Sequence, residues 1–166
     1  IDLYQYHRPD GVTPLEETLA ALHELVQEGT VRAIGSSNFT PAMVEDSAAI
    51  AAERSLTPFV SEQSEYSWLR RGAEEELLPS CERLGVGFIP YFPLGSGLLT
   101  GKYAKGEPAP PGTRLHGREL ADADLDAVER VRAFAERHDA SLLEVAIGGL
   151  AAVPGVASVI AGATKP

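Results

Sequence analysis

An α/β fold of repeated βα units, forming part of a (β/α)8 barrel, is the architecture this sequence predicts, and three observations predict it. Apolar runs of four to seven residues alternate with amphipathic stretches, so the period switches repeatedly from strand-like to helix-like. Repeated right-handed βα units make either a doubly wound sheet or a barrel, and periodicity alone leaves both open. The strands also end in residues suited to chemistry or ligand contact: His7, Ser37-Asn38, Gln63, Tyr91 and Gly162-Ala163-Thr164. In a barrel these C-terminal ends converge on one rim, so about five of eight strands are expected.

The first strand runs from Ile1 to His7. Thr13-Pro14-Leu15-Glu16 then reads as a capping box with Pro at the first helical position, followed by Leu15, Leu19, Leu22 and Val26 on one face and Gly29 as the stop. Val31 to Gly35 is the second strand, Ser37-Asn38-Phe39 a turn, and Thr40-Pro41 the cap of a helix reaching about Arg54. Phe59 to Gln63 is the third strand. Glu74-Glu75-Glu76 place negative charge on the first turn of a helix carrying Leu77, Leu78, Cys81 and Leu84, which Gly85 closes. The fourth strand, Val86 to Pro90, enters the loop Tyr91 to Tyr103. The Pro- and Gly-rich stretch from Gly106 to Gly117 is long for a connector. A helix with Leu125, Val128, Val131 and Ala135 inward, a second opened by the capping box Ser141-Leu142-Leu143-Glu144, and a fifth strand from Val156 to Ala161 complete the order.

Composition narrows the function classes. With 44% hydrophobic and 23% charged residues over 166 positions, the chain has the makings of one modest core. A formal net charge of -10 opposes a nucleic-acid partner, because phosphate backbones bind clustered Lys and Arg. The lone Cys81 excludes an intrachain disulfide and a cysteine zinc site, which suits a reducing compartment, and His7, His23, His116 and His138 lack metal-ligand spacing. No apolar run reaches membrane-span length and no signal peptide is visible. The chain opens directly on a strand without Met and closes at Thr164-Lys165-Pro166 just after another, so residues 1–166 read as one partial domain truncated at both ends.

The loop after the fourth strand fails two familiar patterns. A phosphate-binding G-x-x-x-x-G-K-[ST] ending at Gly101-Lys102 would need Gly where Ser96 stands and a hydroxyl where Tyr103 stands. A G-x-S-x-G nucleophile elbow meets Leu94 at its first position around Ser96 and Phe39 at its last around Ser37.

Taken in order, Asp2-Leu3-Tyr4-Gln5-Tyr6-His7, Gly35-Ser36-Ser37-Asn38-Phe39, Gln63-Ser64-Glu65-Tyr66 and Tyr91-Phe92-Pro93-Leu94-Gly95-Ser96 resemble successive motifs of the aldo-keto reductase family. The likeness covers essentially the whole chain, from the family's fourth barrel strand to the start of its eighth βα loop. It is nearest the bacterial and potassium-channel β-subunit branches. It implies NADP(H) as cofactor, bound across the barrel rim, and hydride transfer to the carbonyl of a small aldehyde or ketone, in a cytoplasmic protein with no membrane insertion. Of the family's Asp, Tyr, Lys and His tetrad only the histidine, His7, is present, so the fragment alone is expected to be inactive.

The resemblance assigns the remaining roles. His7 would orient the substrate carbonyl oxygen, where its bland alternative is a core histidine. Ser37, Asn38 and Gln63 would hold the nicotinamide carboxamide; turn chemistry is the commoner explanation of Ser37-Asn38 taken alone and explains Gln63 less well. Tyr91 would stack under the nicotinamide, or else merely pack. Phe92, Pro93, Leu94, Gly95, Ser96 and Leu98 would wrap the pyrophosphate through backbone N–H groups, with Phe92 standing where the family often has serine. Lys102, Thr113 and Arg114 would contact phosphates, or be ordinary solvated groups. Gly162, Ala163 and Thr164 match the start of the segment gripping the adenosine 2′-phosphate. A regulatory subunit that senses cofactor, like the channel β subunits, is the alternative reading, and an unrelated barrel enzyme is a third.

Overall fold

The computed structural model describes residues 1–162. By contact the chain divides into two compact units, Ile1–Ser64 with Ala73–Ile89, and Glu65–Gly72 with the chain from Pro90 onward. Each has its own core.

The strands β1 (Leu3–Tyr6), β2 (Ala33–Ser37), β3 (Ser61–Glu65) and β4 (Gly87–Tyr91) lie in the order β1-β2-β3-β4. β1 and β2 are parallel with Gln5 opposite Gly35 and Tyr6 opposite Ser36; β2 and β3 are parallel with Ser36 opposite Glu62 and Ser37 opposite Gln63. Each strand joins beside its predecessor, without the reversal of order that marks a doubly wound sheet. Both β2 and β3 begin two residues later than hydrophobicity predicts. The ladder thereby takes in Ser36 and Ser37, beyond the predicted end of β2, and sets them opposite Glu62 and Gln63. Backbone pairing sets the ladder, and small serines satisfy it as readily as valines do.

In the first unit α1 (Leu15–Gln27), α2 (Pro41–Arg54) and α3 (Leu77–Leu84) accompany the strands. Leu19, Ile34, Val44, Phe88 and Cys81 are buried in its core, where Phe39 meets Tyr6 and Phe59 edge to face at 6.0 and 5.7 Å. Leu84 is at the surface instead of inside. The cap of α2 is as predicted: Met43 N–H donates to Thr40 Oγ1 at 3.2 Å, with Pro41 in the first turn. The cap of α1 is not. Pro14 occupies the cap position, because Asp10 takes the Thr13 hydroxyl at 2.6 Å and the Thr13 N–H at 2.8 Å into its own turn. Those bonds hold the Asp10 carboxyl down near 2, the Thr13 hydroxyl contributing most.

In the second unit α4 (Asp122–Arg137) packs Leu125 and Val128 against Leu98, Leu99, Tyr103, Leu115 and Ala146. Val131 is only partly buried against that cluster. The box at Ser141 forms reciprocally: Ser141 N–H donates to Glu144 Oε2 at 2.7 Å and Glu144 N–H to Ser141 Oγ at 3.2 Å. The helix it opens widens to π-form over Glu144–Gly148 before α5 (Gly149–Ala151). The expected fifth strand, Val156 to Ala161, forms no ladder among the described residues. Ile160 N–H donates to Pro90 O at 3.1 Å, but a ladder needs consecutive backbone pairs and a single bond does not make one.

Candidate functional site

The first unit links its predicted residues by hydrogen bonds to two backbone carbonyls, those of Gln63 and His7. Gln63 O accepts from Ser37 Oγ at 2.7 Å and from Asn38 N–H at 3.0 Å. Asn38, at φ 61°, turns its side-chain Nδ2 to His7 O at 2.9 Å and Ser37 Oγ at 3.0 Å. Asparagine tolerates this left-handed conformation better than most residues. The Gln63 amide donates to Gln5 Oε1 at 2.5 Å, and Gln5 in turn donates to Ser61 Oγ at 3.3 Å. The C-terminal ends of β1, β2 and β3 are thus tied by side chains far apart in sequence. His7 is held through its backbone carbonyl, with its imidazole exposed.

Gly35 makes this closeness possible. A Cβ there would sit 2.3 Å from Ser61 Oγ and 3.1 Å from Ser61 O, so only glycine lets β2 and β3 approach.

Sequence reasoning missed Glu62. Its side chain is fully buried, and it accepts from Ser36 Oγ at 2.5 Å, Ser64 Oγ at 2.7 Å and Phe39 N–H at 3.1 Å. Burial pushes its pKa up, against the opposing pull of those donors. The available signal was a glutamate between Ser61 and Gln63 inside a strand expected to be covered on both faces, where a charge needs designated partners.

The second unit holds Tyr91 and the loop after it. Tyr91 is half-buried at the end of β4, its carbonyl accepting from Tyr66 N–H at 3.3 Å. Phe92 is exposed, edge to face with Tyr91 at 5.2 Å, and the Arg114 guanidinium stands 5.5 Å from its ring centre. Positive φ at Phe92, Gly95, Ser96 and Gly97 coils the chain tightly. Gly95 N–H returns to Phe92 O and Gly97 N–H to Leu94 O, both at 2.9 Å. Leu94, at φ -93° and ψ 10°, precedes Gly95 at φ 53°, and these turns are closed within the loop, Leu94 O accepting from both Gly97 and Leu99 N–H. Pro93 and Leu98 are buried and Leu94 packs on the core, so these side chains serve packing.

Farther along, Lys102 is exposed, and the Thr113 hydroxyl donates to Pro110 O at 2.7 Å, closing the turn that carries Arg114. Gly162 is exposed in irregular chain, while Ala163 and Thr164 lie outside the described residues. A cleft of about 670 Å³ in this unit is lined by Trp68, Val131, Phe134 and Val145 and includes none of these residues. Trp68 donates its indole N–H to Val145 O at 2.8 Å, and a Cβ on Gly149 would come within 2.9 Å of its ring. Among the described residues no cluster of His, Cys, Asp or Glu is arranged to hold a metal, and no helix is long and apolar enough to cross a membrane.

The model of the aldo/keto reductase family matches residues 1–166. A probable voltage-gated potassium channel subunit beta of Oryza sativa subsp. japonica is 36% identical over 99% of this chain and 53% of its own length. Probable aldo-keto reductase 1 of Glycine max is 36% identical over 89% of the chain and 42% of its own. L-glyceraldehyde 3-phosphate reductase of Escherichia coli (strain K12) is 31% identical over 99% and 50%. The chain therefore spans about half the length of the curated relatives it matches. Four ordered motifs, a parallel sheet with polar strand ends, and a family match over every residue place it together: the chain belongs to the aldo/keto reductase family.

Proposed function

We propose that this chain carries cofactor- and substrate-facing residues of an NADPH-dependent reductase of aldehydes or ketones. The observation that carries the reading is the hydrogen-bond chain at the strand ends, in which Gln63 O accepts from Ser37 Oγ and Asn38 N–H and His7 O accepts from the Asn38 side chain. A carboxamide ligand needs both donors and acceptors on a rigid support, and hydroxyl and amide groups on paired strand ends have that chemistry. Ser37 and Asn38 spend these donors inside the protein and thereby fix the strand ends, while the Gln63 side-chain amide, with one N–H on Gln5, has a second N–H and a carbonyl oxygen of the kind a nicotinamide carboxamide pairs with.

Bound reduced nicotinamide dinucleotide would supply the hydride. Ser37, Asn38 and Gln63 would fix which face of the ring is presented, and the His7 imidazole would donate a hydrogen bond to the substrate carbonyl oxygen as negative charge gathers there. In the second unit Tyr91 would stack on the ring, and the backbone of Phe92 to Ser96 with Leu98 would take the pyrophosphate. Lys102 and Arg114 would add charge, with Thr113 shaping the Arg114 turn. Gly162, Ala163 and Thr164 would begin the contact with the adenosine 2′-phosphate.

The test is NADPH binding and NADPH-dependent reduction of a generic aldehyde by the full-length protein. His7→Ala is expected to lower turnover roughly 100-fold with binding retained, and Tyr91→Ala to weaken NADPH binding about tenfold. A folded protein that binds no NADPH would refute the reading. The names of relatives such as the rice channel subunit favour a second reading, a cofactor-sensing regulatory subunit; NADPH binding without turnover of any carbonyl substrate would select it.

A further inference from the structure

We infer that Glu62 is the positioning residue of the Ser37-Asn38 pair, clamping the chain on both sides of it so that the two side chains meet a nicotinamide carboxamide at a fixed angle. The inference rests on the carboxamide reading above and adds a residue that never touches the ligand.

The geometry is specific. Side chains alternate across a strand, so Glu62 points to the opposite face of β3 from Gln63. One carboxylate oxygen takes the hydroxyl of Ser36, the residue before the pair, at 2.5 Å. The other takes the N–H of Phe39, the residue after it, at 3.1 Å, and the Ser64 hydroxyl at 2.7 Å. A single buried group thus brackets two residues, one of them in left-handed backbone at φ 61°. Gln63 O holds the pair from the ligand-facing side and Glu62 from beneath. The Glu62 side chain is completely inaccessible, with no solvent role to explain a carboxylate there. Burial raises its pKa against the pull of these donors, and the clamp itself is a set of acceptor bonds made by the two carboxylate oxygens.

Shape and charge can therefore be separated. In Glu62→Gln the carbonyl oxygen can keep Phe39 and Ser64 while the amide donates to Ser36, whose hydroxyl accepts as well as donates and has a second partner in Ser61 O at 3.3 Å. Glu62→Ala removes both arms.

Calorimetric titration of the full-length protein with two probes, NADPH and adenosine 2′,5′-bisphosphate, tests the inference, since the second probe lacks the nicotinamide. Glu62→Ala should weaken NADPH about tenfold, the size of one or two lost hydrogen bonds, and leave the bisphosphate unchanged. Glu62→Gln should restore NADPH affinity to within about twofold of wild type. If Glu62→Ala does not fold, Ser36→Ala cuts one arm alone and should weaken NADPH about threefold, again sparing the bisphosphate. Equal weakening of both probes in a folded variant would reduce Glu62 to a general structural role and overturn the inference. Wild-type affinity for NADPH in Glu62→Ala or Ser36→Ala would overturn it while leaving the reductase reading standing; a folded wild type that binds no NADPH would overturn both.

Discussion

Cys81 shows how little a residue type says before its surroundings are known. Its side chain is inaccessible on α3, and burial, with the nearby Glu62 charge adding to it, pushes the thiol up to about 12. A thiolate is the reactive form, so almost none exists at neutral pH. The native thiol is accordingly expected to resist a disulfide reagent near pH 8 and to react at once when the protein is unfolded in denaturant; rapid labelling of the native state would contradict the burial. The sequence showed a lone cysteine and excluded disulfides and cysteine zinc sites on that count. Glu62 was illegible for the complementary reason. Glutamates are mostly solvated, and nothing local announces that Ser36 and Phe39, more than twenty residues upstream, complete its coordination.

At the scale of elements, local chemistry was readable where the partners are neighbours in sequence. The cap at Thr40 and the box at Ser141 formed as their residues suggest, since a cap needs only the next turn of chain. Thr13 failed because Asp10, three residues back, competes for the same hydroxyl. The Ser141 box makes a pH prediction. Its hydroxyl first, then its N–H, hold the Glu144 carboxyl below the usual range, so the ionised form is favoured in the folded state. The resulting stabilisation is present above the unfolded carboxylate value of 4.5 and is lost as pH falls through the lowered folded value. In an NMR titration the Ser141 amide should shift with an apparent pKa below 4.5, and Glu144→Gln should abolish the shift; an unchanged titration in the variant would assign it elsewhere. The π-form turn beyond the box was invisible beforehand, since it accompanies the bond from Trp68 to Val145 O across seventy-seven positions.

For the molecule as a whole, the order β1-β2-β3-β4 leaves β1 at one end of the sheet. Ile1, Leu3 and Tyr4 are 67%, 37% and 44% exposed there, an apolar edge with unpaired backbone groups. The 166-residue chain is therefore expected to associate with increasing concentration in sedimentation, and Tyr4→Lys to reduce that association. A wild type that remains monomeric throughout would show the edge to be protected. The formal charge of -10 is too small a deterrent, since at physiological salt it is screened within about 8 Å and edge pairing is a contact interaction.

The sequence by itself determined the βα succession, the helix stops at Gly29 and Gly85, the motif order and the family, because each depends on periodicity, a local turn or residue identity. Tertiary structure alone decided that Ser37 stands inside β2 opposite Gln63, that Gly35 permits the approach of the two strands, and that Glu62 bonds the chain on either side of the Ser37-Asn38 pair. Strand register is a property of two segments at once: sliding β2 against β3 by one residue would turn every side chain to the opposite face, and nothing written within either segment specifies its partner.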